Sequence, residues 1–492
     1  MNTTEKNLTL AATLQPRRVM QYFAKISNIP RGSGNECAVA DYLVAFACKY
    51  GLAYHRDDAN NVLIKSPATR GKEGAPALLL QGHTDMVCEK NGDVSHDFTA
   101  DPICLCLDGD FLTAQGTTLG GDDGIAVAMM LALLESDDLP HPALECLFTA
   151  GEEVGMDGAI AFDYRLLAAR HMINLDSEDE GQITVGCAGG VRTDLAIPVT
   201  RRDPEEKEEY MRVTLRGLCG GHSGEDINRG RTGANALLAR LLSTLCRTVP
   251  FSLVRIDGGS KDNAIPRECE AVVCLPQVQG ATLAMTLMQL ADTLGEELSP
   301  EDHGCTMTCE RTERDGALAP MDAESTRRVL CALHTVPHGV LKMSLDIEGL
   351  VEYSRNAGVL RTREDAVELT LTSRSCRESL IDHAQTSLDD FAALCGGTVT
   401  HRNRYPGWEF APVSAVRDAY IAAHTALHGV TPSVAAIHAG LECGYIKLQC
   451  PDMDIISVGP DMKDIHSPDE KLSLSSVARV WQTLCRVLRD WA

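Results

Sequence analysis

The stretch ALLLQGHTDMV, residues 77–87, decides the fold because a histidine and an aspartate follow directly after a short run of leucines. A short apolar run that stops at polar residues is typical of a buried strand in a parallel sheet. Residues just beyond the carboxyl end of such a strand are held rigidly and can still be reached by ligands. His83 is therefore a candidate metal ligand, and Asp85 is placed to orient its imidazole. Taken alone, the stretch is also explained by a chance turn histidine.

Outward from this stretch, short apolar strands alternate with helical segments as far as about residue 185. This rhythm predicts an α/β unit with a largely parallel sheet and right-handed crossovers. The charged stretch RRDPEEKEEY, residues 201–210, marks a change to a different unit, which extends to about PGW at 406–408. We therefore predict one α/β domain formed by residues 1–186 and 407–492, interrupted by an α+β domain of residues 187–406.

Composition narrows the class of protein. Acidic residues outnumber Lys and Arg by 69 to 45 in 492 residues, which argues against nucleic acid or an anionic membrane surface as a partner. The 19 cysteines are an odd number at low density and show no CxxC pairs, which favours reduced thiols in the cytoplasm over disulfides or a thiolate zinc site. The N-terminus has no signal-peptide pattern, and the longest apolar run, residues 125–134, is about half of a membrane span.

Two further stretches place paired acids beside glycines. In GTTLGGDDG, residues 116–124, Asp122 could bridge two cations because each carboxylate oxygen can bind one metal. An aspartate before an apolar helix is equally typical of a helix cap. In FTAGEEVG, residues 148–155, Glu153 could bind a metal while Glu152 accepts a proton from the attacking water. The alternative is a solvated acidic turn.

The last two stretches complete a candidate metal centre. Asp176 ends the apolar run HMINLD, where burial is costly unless the acid is paired or metal-bound, and His466 lies in the loop of DIISVGPDMKDIHSPDE. Three βα turns and this loop would offer imidazole nitrogen and carboxylate oxygen in one crevice. Such ligands suit a hydrolytic pair of zinc ions about 3.5 Å apart, and they also accommodate Mn²⁺ or Co²⁺.

Eight motifs together resemble the di-zinc exopeptidase clan and, within it, the family of aminoacyl-histidine dipeptidases: GHTDMV, LGGDDGI, GEEVG, NLDSEDEG, GGHSG, NAIPRE, HAGLECG and IHSPDE. The resemblance covers nearly the whole chain in consistent order. It implies that His83 and Asp176 bind one zinc, that Glu153 and His466 bind the other, and that Asp122 bridges them through a segment whose following peptide bond is cis. It also makes Glu152 the general base and Asp85 the residue that orients His83. Asp123 departs from the pattern, since many relatives carry Asn there.

The resemblance also implies that residues 187–406 are an inserted lid domain. His222 would stabilise the oxyanion of the reaction, and Asn263 and Arg374 would bind the terminal carboxylate of the substrate. Without the resemblance, His222 is equally well a turn residue, and the other two are ordinary packing positions. His438 and Glu442, in HAGLECG, would lie near the site in roles that the resemblance does not define.

The function implied by the resemblance is zinc-dependent hydrolysis of dipeptides with a preference for C-terminal His, including carnosine-like substrates. The alternatives are a related tripeptidase or N-acyl amino-acid deacylase and, from another class, a non-catalytic metal-binding scaffold. Members of the family often form homodimers, and no residue pattern of this chain indicates one independently. The expected partner is a dipeptide substrate, with no nucleic acid and no membrane, in the cytoplasm.

Overall fold

The chain folds into helices and strands along nearly its whole length in a computed structural model that describes residues 1–314 and 318–492. Within these residues, the α-helices are α1 (Thr3–Ala11), α2 (Arg17–Ile26), α3 (Cys37–Tyr50), α4 (Gly121–Leu134), α5 (Asp157–Ala161), α6 (Ala234–Leu245), α7 (Gly280–Gly295), α8 (Ala323–Thr335), α9 (Glu378–Cys395), α10 (Ala415–His428), α11 (Glu442–Gln449) and α12 (Leu474–Asp490).

The strands divide at residue 188 into an earlier and a later set. The earlier strands are β1 (Ala53–Arg56), β2 (Val62–Ser66), β3 (Leu78–His83), β4 (Leu105–Asp108), β5 (Phe111–Ala114), β6 (Leu144–Thr149), β7 (His171–Asn174) and β8 (Gln182–Cys187). The later strands are β9 (Gly189–Pro198), β10 (Glu208–Arg216), β11 (Gly221–His222), β12 (Ser252–Gly258), β13 (Ala264–Ile265), β14 (Cys269–Pro276), β15 (Thr306–Thr312), β16 (Gly339–Met343), β17 (Val351–Thr362), β18 (Ala366–Ser375), β19 (Thr398–Tyr405), β20 (Ser433–Ile437), β21 (Asp454–Ser457), β22 (Met462–Lys463) and β23 (Lys471–Ser473).

Two compact units share the chain. The first comprises Met1–Gly186, Trp408–Ala436 and Leu441–Ala492, and the second comprises Cys187–Gly407 and Ile437–Gly440. The division drawn from the sequence differs at Gly407 and at Ile437–Gly440, which it placed with the α/β domain. Long-range pairing accounts for the difference, and local sequence patterns do not encode such pairing.

Hydrogen bonds attach residues 437–440 to the second unit. The carbonyl of Ala439 accepts a bond from the N–H of Ala188 at 2.9 Å. The Nε2 atom of His438 lies 2.7 Å from the hydroxyl of Ser354 on β17. This short segment therefore leaves the first unit and returns to it at α11.

The main sheet of the first unit has the order β1-β2-β6-β3-β7-β21-β8-β20. Strands β6, β3, β7 and β21 are parallel to their neighbours in that central group, whereas β1, β2 and β8 add to it in antiparallel pairing. Every residue of β3 and β6 is buried, as expected for strands covered on both faces. The predicted α/β fold with a mixed, largely parallel sheet is thereby confirmed, with the parallel part in its centre.

Helix α4 contains the longest apolar run of the sequence, residues 125–134. All of its residues are buried, and it packs against α2 and β3. Its 14 residues extend for about 21 Å. In the described part of the chain, no helix is long and apolar enough to cross a membrane.

A smaller sheet of the first unit, with the order β22-β23-β5-β4, includes the hairpin formed by β22 and β23. In this hairpin Met462 pairs with Leu472 and Lys463 pairs with Lys471. The loop that joins the two strands, residues 464–470, contains His466.

The second unit is built on an antiparallel sheet with the order β15-β10-β14-β12-β17-β18-β9-β19, to which β16 adds on β17. Helices α6, α7, α8 and α9 pack on this sheet around an aliphatic core. The short pair β11 and β13 forms a separate two-stranded sheet beside β17 and holds His222 opposite Ala264. This architecture is the α+β arrangement expected for residues 187–406.

Candidate metal centre

The residues predicted as ligands follow the central parallel strands of the first unit. His83 is the last residue of β3, Glu152 and Glu153 follow β6, and Asp176 follows β7. His466 lies in the β22–β23 loop, which follows β21. The carboxyl ends of adjacent parallel strands meet at one edge of the sheet, so these side chains converge there.

Asp122 reaches the same edge from the start of α4. The helix begins after Gly120, whose φ of 68° is left-handed, and Asp122 and Asp123 themselves have non-helical backbone angles. The peptide bond between the two aspartates is cis, as the resemblance implied. The carboxylate of Asp122 contacts His83 and His466, and in the described part of the chain no side-chain hydrogen bond caps the start of α4.

The carboxylate of Asp122 lies between two histidines. Its Oδ1 is 2.9 Å from Nε2 of His83, and its Oδ2 is 3.1 Å from Nε2 of His466. Each histidine has an acid of its own: Asp176 Oδ1 lies 3.6 Å from His83 Nε2, and Glu153 Oε2 lies 3.1 Å from His466 Nε2. The structure thus forms two clusters of nitrogen and oxygen atoms that share one carboxylate.

The charges at this centre fit a cation. Burial, reinforced by the nearby charge of Asp176, raises the pKa of Glu152 to about 9, and burial raises that of Asp176 to about 6. The carboxylates of Asp122 and Glu153 raise the pKa of His466 to about 10. A bound cation would offset this concentration of negative charge in place of protons. Imidazole nitrogen and carboxylate oxygen without sulfur are a ligand set that Zn²⁺ accepts.

Asp85 contacts both His83 and the turn that carries Glu152 and Glu153. Its Oδ1 lies 3.3 Å from Nδ1 of His83, and its carboxylate accepts bonds from the N–H groups of Glu152 at 3.1 Å and Glu153 at 3.2 Å. Burial opposes ionisation of Asp85, but its contacts with His83 and with the hydroxyl of Ser33 lower its pKa to about 2. An anionic Asp85 fixes the ring of His83 and also the turn that carries the two glutamates.

Asp123 is a fully buried acid beside the candidate ligands. Its Oδ2 accepts a bond from the N–H of His83 at 3.1 Å, and the side chain is fully buried. Burial, together with the charges of Asp176 and Asp122, raises the pKa of Asp123 well above its ordinary value.

A buried glutamate connects the three ligand-bearing strands beneath the centre. Oε2 of Glu442 accepts bonds from Gln81 Nε2 at 2.6 Å and from Thr149 Oγ1 at 2.8 Å, and Gln81 Oε1 accepts one from Asn174 Nδ2 at 2.7 Å. Gln81, Thr149 and Asn174 lie on β3, β6 and β7, respectively. Each of them comes a few residues before a candidate ligand: His83, Glu153 or Asp176. The sequence left the role of Glu442 open. Gln81 was the available signal, since a polar residue in an apolar strand needs a buried partner.

The second unit contains its own cluster of polar groups around Arg374. The Nη1 atom of Arg374 donates a bond to the hydroxyl of Tyr405 at 2.8 Å. Burial and the charge of Arg374 lower the pKa of His222, and the same causes lower that of His438 to about 3. Both imidazoles are therefore neutral near pH 7, when each has one N–H to donate. Sequence reasoning missed Tyr405.

Asn263 lies beside the turn that carries His222. Its carbonyl accepts a bond from the N–H of Ser223 at 2.9 Å. Its side chain is exposed and lines an open cavity of about 430 Å³ together with Arg192 and Arg402. Arg192 and Arg402 are paired with Asp262 and Asp194, so the surroundings of Asn263 carry charges of both signs.

Comparison with known proteins places the chain in a family. Residues 79–490 match the sequence model of Peptidase family M20/M25/M40. The chain belongs to Peptidase family M20/M25/M40. It is a hydrolase that acts on peptide bonds, and the resemblance drawn from the eight motifs is confirmed for the family.

Two relatives align with almost the whole length of this M20/M25/M40 family protein. The cytosol non-specific dipeptidase of Escherichia coli (strain K12) is 37% identical over 477 residues, which are 97% of this chain and 98% of the relative. The crystal structure of aminoacylhistidine dipeptidase from Vibrio alginolyticus has a TM-score of 0.93 at 38% identity and covers 98% of both chains. Aminopeptidase PepT from Bacillus cereus, at 15% identity and a TM-score of 0.56 over 97% of this chain and 98% of PepT, shares the fold alone.

Proposed function

We propose that this member of the M20/M25/M40 family is a two-zinc dipeptidase that prefers dipeptides with a C-terminal histidine. The observation that carries the proposal is Asp122, whose two carboxylate oxygens each face a different histidine at 2.9 and 3.1 Å. Each histidine has a separate acid beside it. One bridging carboxylate between two such pairs is the arrangement that a hydrolytic pair of cations requires.

The proposed ligands divide into two sets. His83 and Asp176 would hold one zinc ion, Glu153 and His466 would hold the other, and Asp122 would be shared. When bound, the two ions would polarise the peptide carbonyl and lower the pKa of the attacking water. The same nitrogen and oxygen atoms would also accept Mn²⁺ or Co²⁺.

Glu152 is the proposed general base. It takes a proton from the attacking water and delivers that proton to the departing amine. Its pKa of about 9 without metal would fall towards neutrality beside two cations, which suits a group that both takes and gives a proton. Asp85 would hold His83 in the orientation that points Nε2 at the metal.

Residues of the second unit are proposed to recognise the substrate. Neutral His222 would donate a hydrogen bond to the oxyanion that develops on the scissile carbonyl. Arg374 would pair with the terminal carboxylate through its planar guanidinium, and Asn263 would add an amide donor. Recognition of a carboxylate close to the scissile bond restricts the substrate to very short peptides.

The names of both relatives support a dipeptide substrate, and the name of the E. coli relative supports a cytosolic location. The two names differ on the side chain that is preferred. The E. coli relative is called non-specific, and the Vibrio alginolyticus relative is called an aminoacylhistidine dipeptidase. Our proposal follows the second name for specificity. A homodimer, frequent in the family, is proposed on the resemblance alone.

A substrate panel tests the proposal. Purified protein is assayed with Ala-His, β-Ala-His, Leu-Gly, a tripeptide and an N-acetyl amino acid, before chelation, after chelation and after zinc is restored. Zinc-dependent cleavage confined to dipeptides and fastest with C-terminal His is the expected result. Cleavage of the tripeptide or the N-acetyl compound favours the related tripeptidase or deacylase. Equal rates on all three dipeptides would reject the histidine preference while retaining the dipeptidase.

A further inference from the structure

Glu470 is a buried carboxylate that the proposed mechanism does not use. Its side chain is about 3% exposed, and both of its oxygens accept backbone hydrogen bonds. Oε2 accepts from the N–H of Leu119 at 2.7 Å and of Gly120 at 3.0 Å, whereas Oε1 accepts from Gly121 at 2.7 Å and Asp122 at 3.3 Å. Four successive N–H groups therefore converge on one carboxylate.

These four donors need an external partner. The first N–H groups of a helix have no acceptor within the helix, and successive amides around a left-handed residue form a concave anion site. Gly120 supplies that residue with a φ of 68°. An anion at the start of a helix also interacts favourably with the helix dipole. The amide groups before and within the first turn of α4 thus converge on the carboxyl group of Glu470.

The same glutamate closes the loop that carries His466. Residues 464–470 join β22 to β23, and the N–H of Glu470 donates back to the carbonyl of Ser467 at 3.2 Å. His466 itself is nearly half exposed, with 47% of its side chain open to solvent. The ring of His466 is held by its contacts with Asp122 and Glu153 and only partly by burial, and Glu470 adds a second attachment of the same loop.

Arg31 binds a carbonyl group of the same peptide segment. Its Nη2 donates to the carbonyl of Gly120, and its Nη1 donates to the carbonyls of Thr84 and Asp85, each at 2.9 Å. Gly120 is thus bound through its N–H by Glu470 and through its C=O by Arg31. The segment that carries Asp122 is connected in this way both to the segment after His83 and to the loop of His466.

We propose that Glu470 is a positioning residue of the metal centre, which fixes the His466 loop to the start of α4 and so sets the separation of His466 from Asp122. The inference rests on the proposed metal-binding function. Loss of the carboxylate should weaken the metal position formed by Asp122, Glu153 and His466. The position formed by His83 and Asp176 shares Asp122 but does not use the loop, and it should weaken less.

The test replaces Glu470 with Gln and measures metal affinity on folded, metal-free protein by competition with a zinc-binding dye. An amide retains one acceptor oxygen but points its NH₂ group at N–H donors, so the backbone amides are no longer all satisfied. Residues that support metal ligands typically change affinity about 10- to 100-fold, and we expect that loss for one of the two zinc ions. Asp469→Asn, an exposed acid of the same loop, is the matched control and should keep wild-type affinity for both.

A second measurement requires no variant. Amide hydrogen exchange of residues 119–122 is followed in the wild-type protein with and without zinc. The anchor exists before metal binds only if these amides are protected in the metal-free protein, where helix-start amides otherwise exchange rapidly. Exchange at unprotected rates until zinc is added would overturn the proposal.

The outcomes separate the two proposals. If the wild-type protein takes up no metal, the proposed function fails. If it binds two zinc ions and Glu470→Gln binds both as tightly as Asp469→Asn does, the positioning role fails even when the amides are protected. If Glu470→Gln does not fold, the exchange measurement alone decides whether the anchor precedes the metal.

Discussion

The metal-free protein should become less stable as the pH rises above neutrality, because groups at the centre bind protons more tightly when the chain is folded. The pKa of Glu152 rises from 4.5 to about 9, and that of His466 from 6.5 to about 10. A group whose pKa is raised on folding stabilises the fold fully below its unfolded pKa and loses that contribution as the pH passes its folded pKa. Between about pH 6.5 and 9 both groups therefore lower the stability with increasing pH.

The size of the effect follows mainly from Glu152. One proton bound in the folded but not the unfolded state changes the free energy of unfolding by about 1.4 kcal/mol per pH unit. Between about pH 7 and pH 8.5 this amounts to a loss of about 2 kcal/mol. His466 is 47% exposed, so solvent screening reduces its share, which has the same sign. Because the pKa of Asp176 is about 6, most of its contribution to the free energy of unfolding is already lost below this pH range.

Tryptophan fluorescence can follow this effect in the first unit. All three tryptophans, Trp408, Trp481 and Trp491, belong to that unit. Urea unfolding of metal-free protein at about pH 7 and pH 8.5 gives the free energy of unfolding at each pH. Glu152→Gln should remove most of the slope, and zinc should reduce it in the wild-type protein. A metal-free wild-type protein whose stability stayed constant or rose over this range would refute the reasoning.

Four further substitutions test separate parts of the site. Glu152→Ala should keep both metals by elemental analysis and lower kcat by about 10²- to 10⁴-fold, and full activity would reject Glu152 as the base. Asp122→Ala should lose metal as well as activity, because it removes the shared ligand; two tightly bound zinc ions in that variant would contradict the bridging role. His222→Ala should lower kcat more than metal content, and unchanged kinetics would exclude His222 from the reaction. Tyr405→Phe removes a hydrogen bond to Arg374 that is worth about 1.5–3 kcal/mol. The KM should therefore rise about 10- to 100-fold, while kcat changes less. An unaltered KM would argue against carboxylate binding by Arg374.

Local sequence patterns were sufficient to predict where chemistry would concentrate. The buried run LLLQGH became β3, and the apolar run before the two glutamates became β6, its parallel neighbour. Parallel strands with both faces covered are read easily as continuous apolar stretches. Polar residues at their ends then indicated the edge of the sheet at which side chains converge.

The supporting contacts of the centre could not be predicted in this way. Gln81 bonds to Glu442 across 361 residues of sequence, and Leu119 bonds to Glu470 across 351. Such pairs depend on how distant loops meet, which neither periodicity nor a short motif describes. The motif IHSPDE indicates a role only for its histidine, His466. The role proposed for Glu470 follows from the four backbone amides around its carboxylate, which the fold brings there from residues 119–122.

The acids at the centre are distinguished by their environment more than by their sequence context. The imidazoles of His466 and His83 keep the pKa of Asp122 low despite burial, so that Asp122 is an anion at any working pH. Glu152 directly precedes the proposed ligand Glu153, and burial raises its pKa to about 9 although the charge of His83 opposes the rise. Environments that drive the pKa values of neighbouring carboxyl groups apart indicate which group holds charge and which exchanges protons. Asp122 is therefore suited to bind cations permanently, and Glu152 to carry the proton that peptide hydrolysis must move.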